Sequence, residues 1–153
     1  MDKKIMALAA IGVGIAALGA GPARAQDVLA DPTEIRACLC TQQAVTALAD
    51  ILHERQQAYE SSQKRLAALN SELETRRAQI NVYDDAQVQA YKQLLQQRDS
   101  AATAFAEEAT PSYNAAVARY NEALGGYTVN CAGKSYDGTA YRSVQATLAC
   151  PKP

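Results

Sequence analysis

Between Thr33 and Leu124 the chain holds no glycine and a single proline, Pro111. Apolar side chains recur through this stretch at alternating three- and four-residue steps. The first run is Val45, Leu48, Ile51/Leu52, Tyr59, Leu66, Leu69, Leu73 and Ile80; the second is Val88, Tyr91, Leu95, Phe105, Tyr113, Val117, Tyr120 and Leu124. Such a period is helical and lies close to the 3.5-residue seam along which two helices wrap around one another. The pattern predicts an all-α fold: a long antiparallel two-helix coiled-coil hairpin with a short C-terminal helix.

The first helix is expected over residues 33–80. Asp31 stands at a capping position, Pro32 falls in the first turn where its missing N–H costs nothing, and Glu34 complements the helix dipole. With Val45 at position a of a heptad, Leu52, Tyr59, Leu66, Leu73 and Ile80 repeat a, while Leu48 and Leu69 fall at d. Arg55, Ser62 and Arg76 also fall at d, so the seam is imperfect; solvated edges are the simplest account of them, and register-setting or a partner is the other. Asn81-Val82-Tyr83 can leave the helix and Asp84-Asp85 offers a new cap, which puts the turn at 81–85. One uninterrupted helix to Thr110, closed by oligomerisation, is the rival arrangement.

The second helix is expected over 86–124. Its stripe slips where Phe105, Ala109, Tyr113 and Val117 stand four apart, an insertion relative to a strict heptad. Pro111 lies inside the slip and removes a backbone hydrogen bond, so a kink or short break is expected at Glu108–Pro111. Gly125-Gly126 is read as the C-terminal stop. A hairpin of this length, about 60–70 Å at 1.5 Å per residue, leaves its stripe poorly buried, so the tail, a second copy or another protein must cover part of it. In the tail, Tyr136-Asp137-Gly138 is a turn signal, and Tyr141, Val144 and Leu148 predict an amphipathic helix over 138–148.

The N-terminus bears on compartment. Lys3-Lys4 precede an apolar run from Ile5 to Ala20, which ends in Pro22-Ala23-Arg24-Ala25 with small residues at the −3 and −1 positions. This pattern is that of a secretory signal peptide over 1–25, cleaved between Ala25 and Gln26. The run is short for a transmembrane span, which needs roughly 20 residues. Gln26 to Asp31 is read as a mobile lead-in. The expected location is the periplasm or the exterior, with residues 26–153 forming a single domain.

Composition narrows the function classes. Of 15 basic and 16 acidic residues, the signal carries Lys3, Lys4, Arg24 and Asp2, which leaves 12 against 15 and a net charge of −3. A mildly acidic, mixed surface gives no electrostatic reason to expect nucleic acid, nor membrane insertion once the signal is gone. There is no Trp and one Phe, in keeping with Ala/Leu seams of helical bundles.

Four cysteines, an even number in an oxidising compartment, read as two structural disulfides. Folding the chain about residue 83 sets position i near 166 − i, so Cys38 lies opposite about residue 128, close to Cys131. Cys38 also falls at position a and faces the partner helix. Cys40, roughly 200° around the helix, faces elsewhere and is free to receive the tail. The preferred pairing is Cys38–Cys131 with Cys40–Cys150; the swapped pairing is second, and a local Cys38–Cys40 bridge third, because helical geometry separates those side chains. The sharper alternative is thiol–disulfide exchange by Cys38/Cys40, for which Arg36 is the one nearby cation. An all-cysteine zinc site is less well matched, since paired C-x-x-C knuckles are absent.

Other chemistry is thin. His53 is the sole histidine, without a nucleophile in motif context, and reads as a surface residue. Asp84/Asp85 and Glu107/Glu108 sit at helix ends and faces, and no G-x-S-x-G, phosphate loop or H-E-x-x-H occurs. No cofactor, metal or enzymatic activity is expected. Tyr59, Tyr83, Tyr91 and Tyr113 are candidate interface residues, since tyrosine is enriched in interfaces; burial within the hairpin is the alternative.

Ala37-Cys38-Leu39-Cys40, Tyr120-Asn121, Asn130-Cys131-Ala132-Gly133-Lys134 and Leu148-Ala149-Cys150-Pro151 together resemble an uncharacterised family of small exported bacterial helical-hairpin proteins. That resemblance implies a fold and an envelope location, with no activity to carry over. In outline the hairpin is also similar to periplasmic coiled-coil chaperones and adaptor hairpins. The expected function is a non-enzymatic exported scaffold or protein-binding module with a protein partner or self-association. A thiol–disulfide exchange factor and a holdase-type chaperone are the alternatives.

Overall fold

The structure is a computed structural model that describes residues 27–152; the signal peptide and its cleavage site expected above lie outside the described residues. The fold is all-α apart from one short strand pair. Helix α1 spans Pro32–Gln79, α2 spans Asp85–Ala104, and α3 spans Thr110–Asn130. A π-helical segment, Phe105–Ala109, joins α2 to α3. Helix α4 covers Gly138–Ala146. Strands β1 (Val28–Leu29) and β2 (Ser135–Tyr136) pair in parallel, with Val28 opposite Ser135 and Leu29 opposite Tyr136.

Local chemistry sets most of these bounds. Asp31 accepts the Thr33 N–H at 2.8 Å and Pro32 occupies the first turn, so α1 starts as its sequence indicates. Between α1 and α2, Asn81 Oδ1 accepts the Tyr83 N–H, and Asp84 Oδ1 accepts from Ala86 and Gln87 at 3.0 and 3.2 Å. These side chains do what glycine or proline does in commoner turns: they satisfy the backbone groups that a helix end leaves open. Asp137 caps α4 in the same way, accepting from Thr139 and Ala140.

Helix α1 packs against α2, the π segment, α3 and α4. Ile80 shares a groove with Ala86, and Leu73 shares one with Leu95. Tyr59 lies against Phe105 and Tyr113, and Cys38 is bridged to Cys131. Burial repeats every seven residues along α1, with Cys38, Val45, Leu52, Tyr59, Leu66, Leu73 and Ile80 all buried or half-buried. Of the polar d positions, Arg55 and Arg76 are exposed and Ser62 is half-buried. Arg76 forms an ion pair with Glu72 at 3.1 Å on the solvent side.

The second chain segment carries one residue more than a strict heptad. Val88, Leu95 and Ala102 are seven apart, as are Tyr91, Arg98 and Phe105; beyond the π segment the rows resume at Thr110, Val117 and Leu124, and at Tyr113, Tyr120 and Tyr127. Each row crosses the π segment with a step of eight. A π turn adds one residue to a helix without ending it, and here it restores the face that the insertion would have rotated away. The break expected at Glu108–Pro111 does not occur, because backbone hydrogen bonding continues: the Thr110 N–H reaches Phe105 O, which also accepts from Thr110 Oγ1 at 2.8 Å. Pro111 sits in the first turn of α3, just past the widened turn, where its missing N–H costs least.

Two further expectations need correction. Gly125-Gly126 does not stop the helix, which continues to Asn130. The stop comes at Gly133, the described residue with positive φ (74°), after the Cys131 and Ala132 N–H groups have both turned back to Tyr127 O. A glycine does mark the stop, but seven to eight residues beyond the expected one, because the bond to Cys38 requires the helix to reach Cys131. Residues 28–29 are not a loose lead-in either: they are paired with β2, and Leu29 is 8% exposed.

Both glycines of α3 have open space where a Cβ would stand. Each carries the conformational cost of glycine in a helix with no packing reason for it. Gly125→Ala and Gly126→Ala are each expected to raise stability by about 0.5–1 kcal/mol, read as a higher urea midpoint at unchanged m.

Candidate functional site

Among the described residues, six of the eleven buried apolar ones gather at one end of α1 and form a single cluster: Leu29, Ile35, Cys38, Leu39, Cys131 and Val144. Ile35 (0% exposed) and Val144 (2%) are its fully enclosed members. Tyr127, Tyr136, Ala140, Tyr141 and Leu148 pack against it. Here α4 supplies the cover that the sequence required for part of the stripe. Helix α4 has the most one-sided distribution of apolar residues of the four helices, which suits a short helix lying on a core.

Two disulfides close this end, Cys38–Cys131 and Cys40–Cys150, matching the preferred pairing. No free cysteine is present among the described residues. Both bridges suggest an oxidising compartment, and no helix among the described residues is long and apolar enough to cross a membrane. Cys38 and Cys40 are bonded to distant partners and not to each other.

Arg36 is not idle beside them. Its guanidinium donates to the Thr147 carbonyl at 2.9 Å and to Thr147 Oγ1 at 3.0 Å, which fixes the end of α4 against α1. Sequence reading assigned Arg36 only an electrostatic part and missed this clamp; a cation two residues before a structural cysteine was the available signal. Tyr136 and Tyr141 stack at 5.6 Å. Burial raises the Tyr136 pKa above the ordinary tyrosine value, and the neighbouring Tyr127 and Tyr141 add to the rise.

The four candidate interface tyrosines separate into different environments. Tyr59 stacks with Tyr113 at 5.2 Å and meets Phe105 at 5.1 Å, so these rings are half-buried between the helices at the level of the π segment. Tyr91 is half-buried and lines an open groove of about 470 Å³ with Arg76, Ile80 and Gln87. Tyr83 alone projects, 93% exposed, next to Val82 at 67%. The turn beneath them is held by Asn81, Asp84 and Gln87: Gln87 Oε1 accepts the Asn81 N–H at 2.9 Å and its Nε2 donates to Asp84 Oδ2 at 3.0 Å. The structure thus leaves one of the four candidates presented to solvent on a braced turn, at the opposite end of α1 from the disulfides.

His53 is exposed and its ring nitrogen pairs with Gln57 Nε2 at 2.9 Å, as a surface residue would. Asp84 is spent as the α2 cap, while Glu107 and Glu108 are exposed on the π segment. No group of three or more metal-ligating side chains occurs among the described residues.

No family model, curated protein or solved structure matches the chain, so the resemblance drawn from its cysteine framework rests on those motifs alone.

The loops closed by the two bridges overlap, which sets how their contributions combine. Alone, Cys38–Cys131 closes a loop with a sequence separation of 93. With one bridge in place, the other closes a path of only about 20 residues, and chain entropy then assigns it about 3 kcal/mol. Replacing either pair by Ser is expected to cost about 3 kcal/mol and replacing both about 8 kcal/mol, more than twice one pair. Denaturant unfolding of the three variants checks this ordering.

Proposed function

We propose that the chain is a non-enzymatic exported scaffold: an antiparallel two-helix coiled-coil hairpin, stapled at one end, that binds another protein through its turn. The observation that carries this reading is the Val82-Tyr83 pair. Two large apolar side chains at 67% and 93% exposure stand together on a turn braced by side-chain hydrogen bonds. A braced turn loses little freedom on binding, and tyrosine presents a large contact area with a polar tip. The reverse order of contacts along α1 and the later helices, from Ile80/Ala86 to Cys38/Cys131, supports the hairpin. The seven-residue burial rows support a coiled-coil seam.

Export is supported by the signal-like residues 1–25 and by the two disulfides. The binding reading leaves Tyr59 and Tyr113 to the seam and Tyr91 to the groove beside the turn, so the interface narrows to Tyr83 with Val82.

Site-specific photo-crosslinking in the exporting cell tests it. A photoreactive residue at position 83 is expected to yield one discrete protein adduct that a control probe at exposed Glu54 does not give. Val82→Ser should deplete that adduct while helicity is unchanged. Equal or absent crosslinking at positions 83 and 54 would remove the turn as a binding end.

A further inference from the structure

The two disulfides differ in solvent access, which is one of the conditions that govern thiol exchange. Cys38 and Cys131 are each 4% exposed and lie inside the core cluster. Cys40 and Cys150 are both half-buried. Cys150 lies beyond the end of α4, in a tail with no regular structure, and Cys40 stands on the flank of α1. Access of an attacking thiolate is one requirement for exchange, and stabilisation of the departing thiolate is the other.

Arg36 meets the second requirement. It precedes Cys40 by one helical turn, so the two side chains share a face of α1. Two hydrogen bonds hold its guanidinium at Thr147, three residues before Cys150. A fixed positive charge beside a sulfur lowers the cost of its leaving as thiolate. The remaining attachments of α4, the Asp137 cap, the buried Val144 and the Arg36 clamp, do not depend on the bridge.

We propose that Cys40–Cys150 is a thiol-exchange site for dithiol reductants, opened while Cys38–Cys131 stays closed, with Arg36 favouring Cys40 as the leaving sulfur. One thiolate of the dithiol attacks Cys150 Sγ, the Sγ–Sγ bond breaks, and Cys40 departs as thiolate and takes a proton from solvent. The second thiol of the reductant, losing its proton, then closes on the first sulfur and releases Cys150, which is protonated in turn. The dithiol is oxidised to its disulfide and the protein bridge is reduced by two electrons. The product keeps its helices, frees the tail beyond Leu148, and presents one thiol on α1 and one on the tail. This inference goes beyond the binding reading and does not rest on it.

Dithiothreitol titration of the full disulfide-bonded chain, with alkylation and peptide mass mapping at each step, tests the proposal. Cys40 and Cys150 are expected to be alkylated at least about tenfold faster than Cys38 and Cys131, with helicity retained. Arg36→Gln separates two parts that the arginine can play. As a stabiliser of the leaving thiolate, its loss slows opening of Cys40–Cys150 by about three- to tenfold, and Arg36→Lys restores the rate. As a mere clamp on the tail, its loss speeds opening. Simultaneous or reversed opening of the two bridges, or an Arg36→Gln variant that opens at the parent rate or faster, overturns the proposal.

Discussion

The bond between Cys38 and Cys131 is the constraint on which the remaining structure depends. It joins residues 93 apart in sequence and lies within the cluster that contains the fully buried Ile35 and Val144. A helix pair with half-buried tyrosines, leucines and alanines along most of its length has little of the deep packing that gives a domain its stability. Among the described residues, the disulfides, α4 and the β1–β2 pair gather six of the eleven buried apolar residues at one end, while Leu48, Leu73, Leu94, Ala101 and Ala116 lie further along. Distant features follow from that anchorage. Helix α3 passes through two glycines to reach Cys131, and the strand pair ties the chain ahead of α1 to the tail beyond α3.

With one end fixed, the buried rows of α1 and of the segments packed against it have to match along their length. Helix α1 repeats every seven residues without interruption, whereas the returning segment carries one residue too many. The surplus is absorbed at Phe105–Ala109, beside the Tyr59–Phe105–Tyr113 ring cluster. A π turn there costs helical hydrogen-bond regularity over a few residues, while a rotated face would lose the whole seam beyond it. Pro111 follows immediately after the widened turn, where the hydrogen-bond ladder is already irregular.

Much of this was legible in the residues. Heptad spacing indicated helices and their limits near residues 32 and 80, Asp84 and Asp137 announced their caps, and folding about residue 83 was enough to choose the cysteine pairing. Three features were not. The buried line Leu94, Ala101 and Ala116 escaped notice because the alanines that make up most of it give a weak hydrophobic signal. The slip near Phe105 was visible as a four-residue spacing, but spacing alone does not distinguish a break from a π turn. Gly125-Gly126 carried the local signal for a helix end, and a long-range covalent bond overrode it. The candidate contact residues followed the same rule: four tyrosines look alike in sequence, and only tertiary packing separates Tyr83 from Tyr59, Tyr91 and Tyr113.

If the stapled end anchors the fold, local stability must fall away from it along α1. Amide hydrogen exchange of the oxidised full chain measures that gradient residue by residue. The slowest amides are expected around Ile35, Cys38 and Leu39 and on the facing turns of α3, with exchange quickening through Leu66 towards Gln79 and the turn. Uniform protection along α1, or the strongest protection next to the turn, would contradict the account.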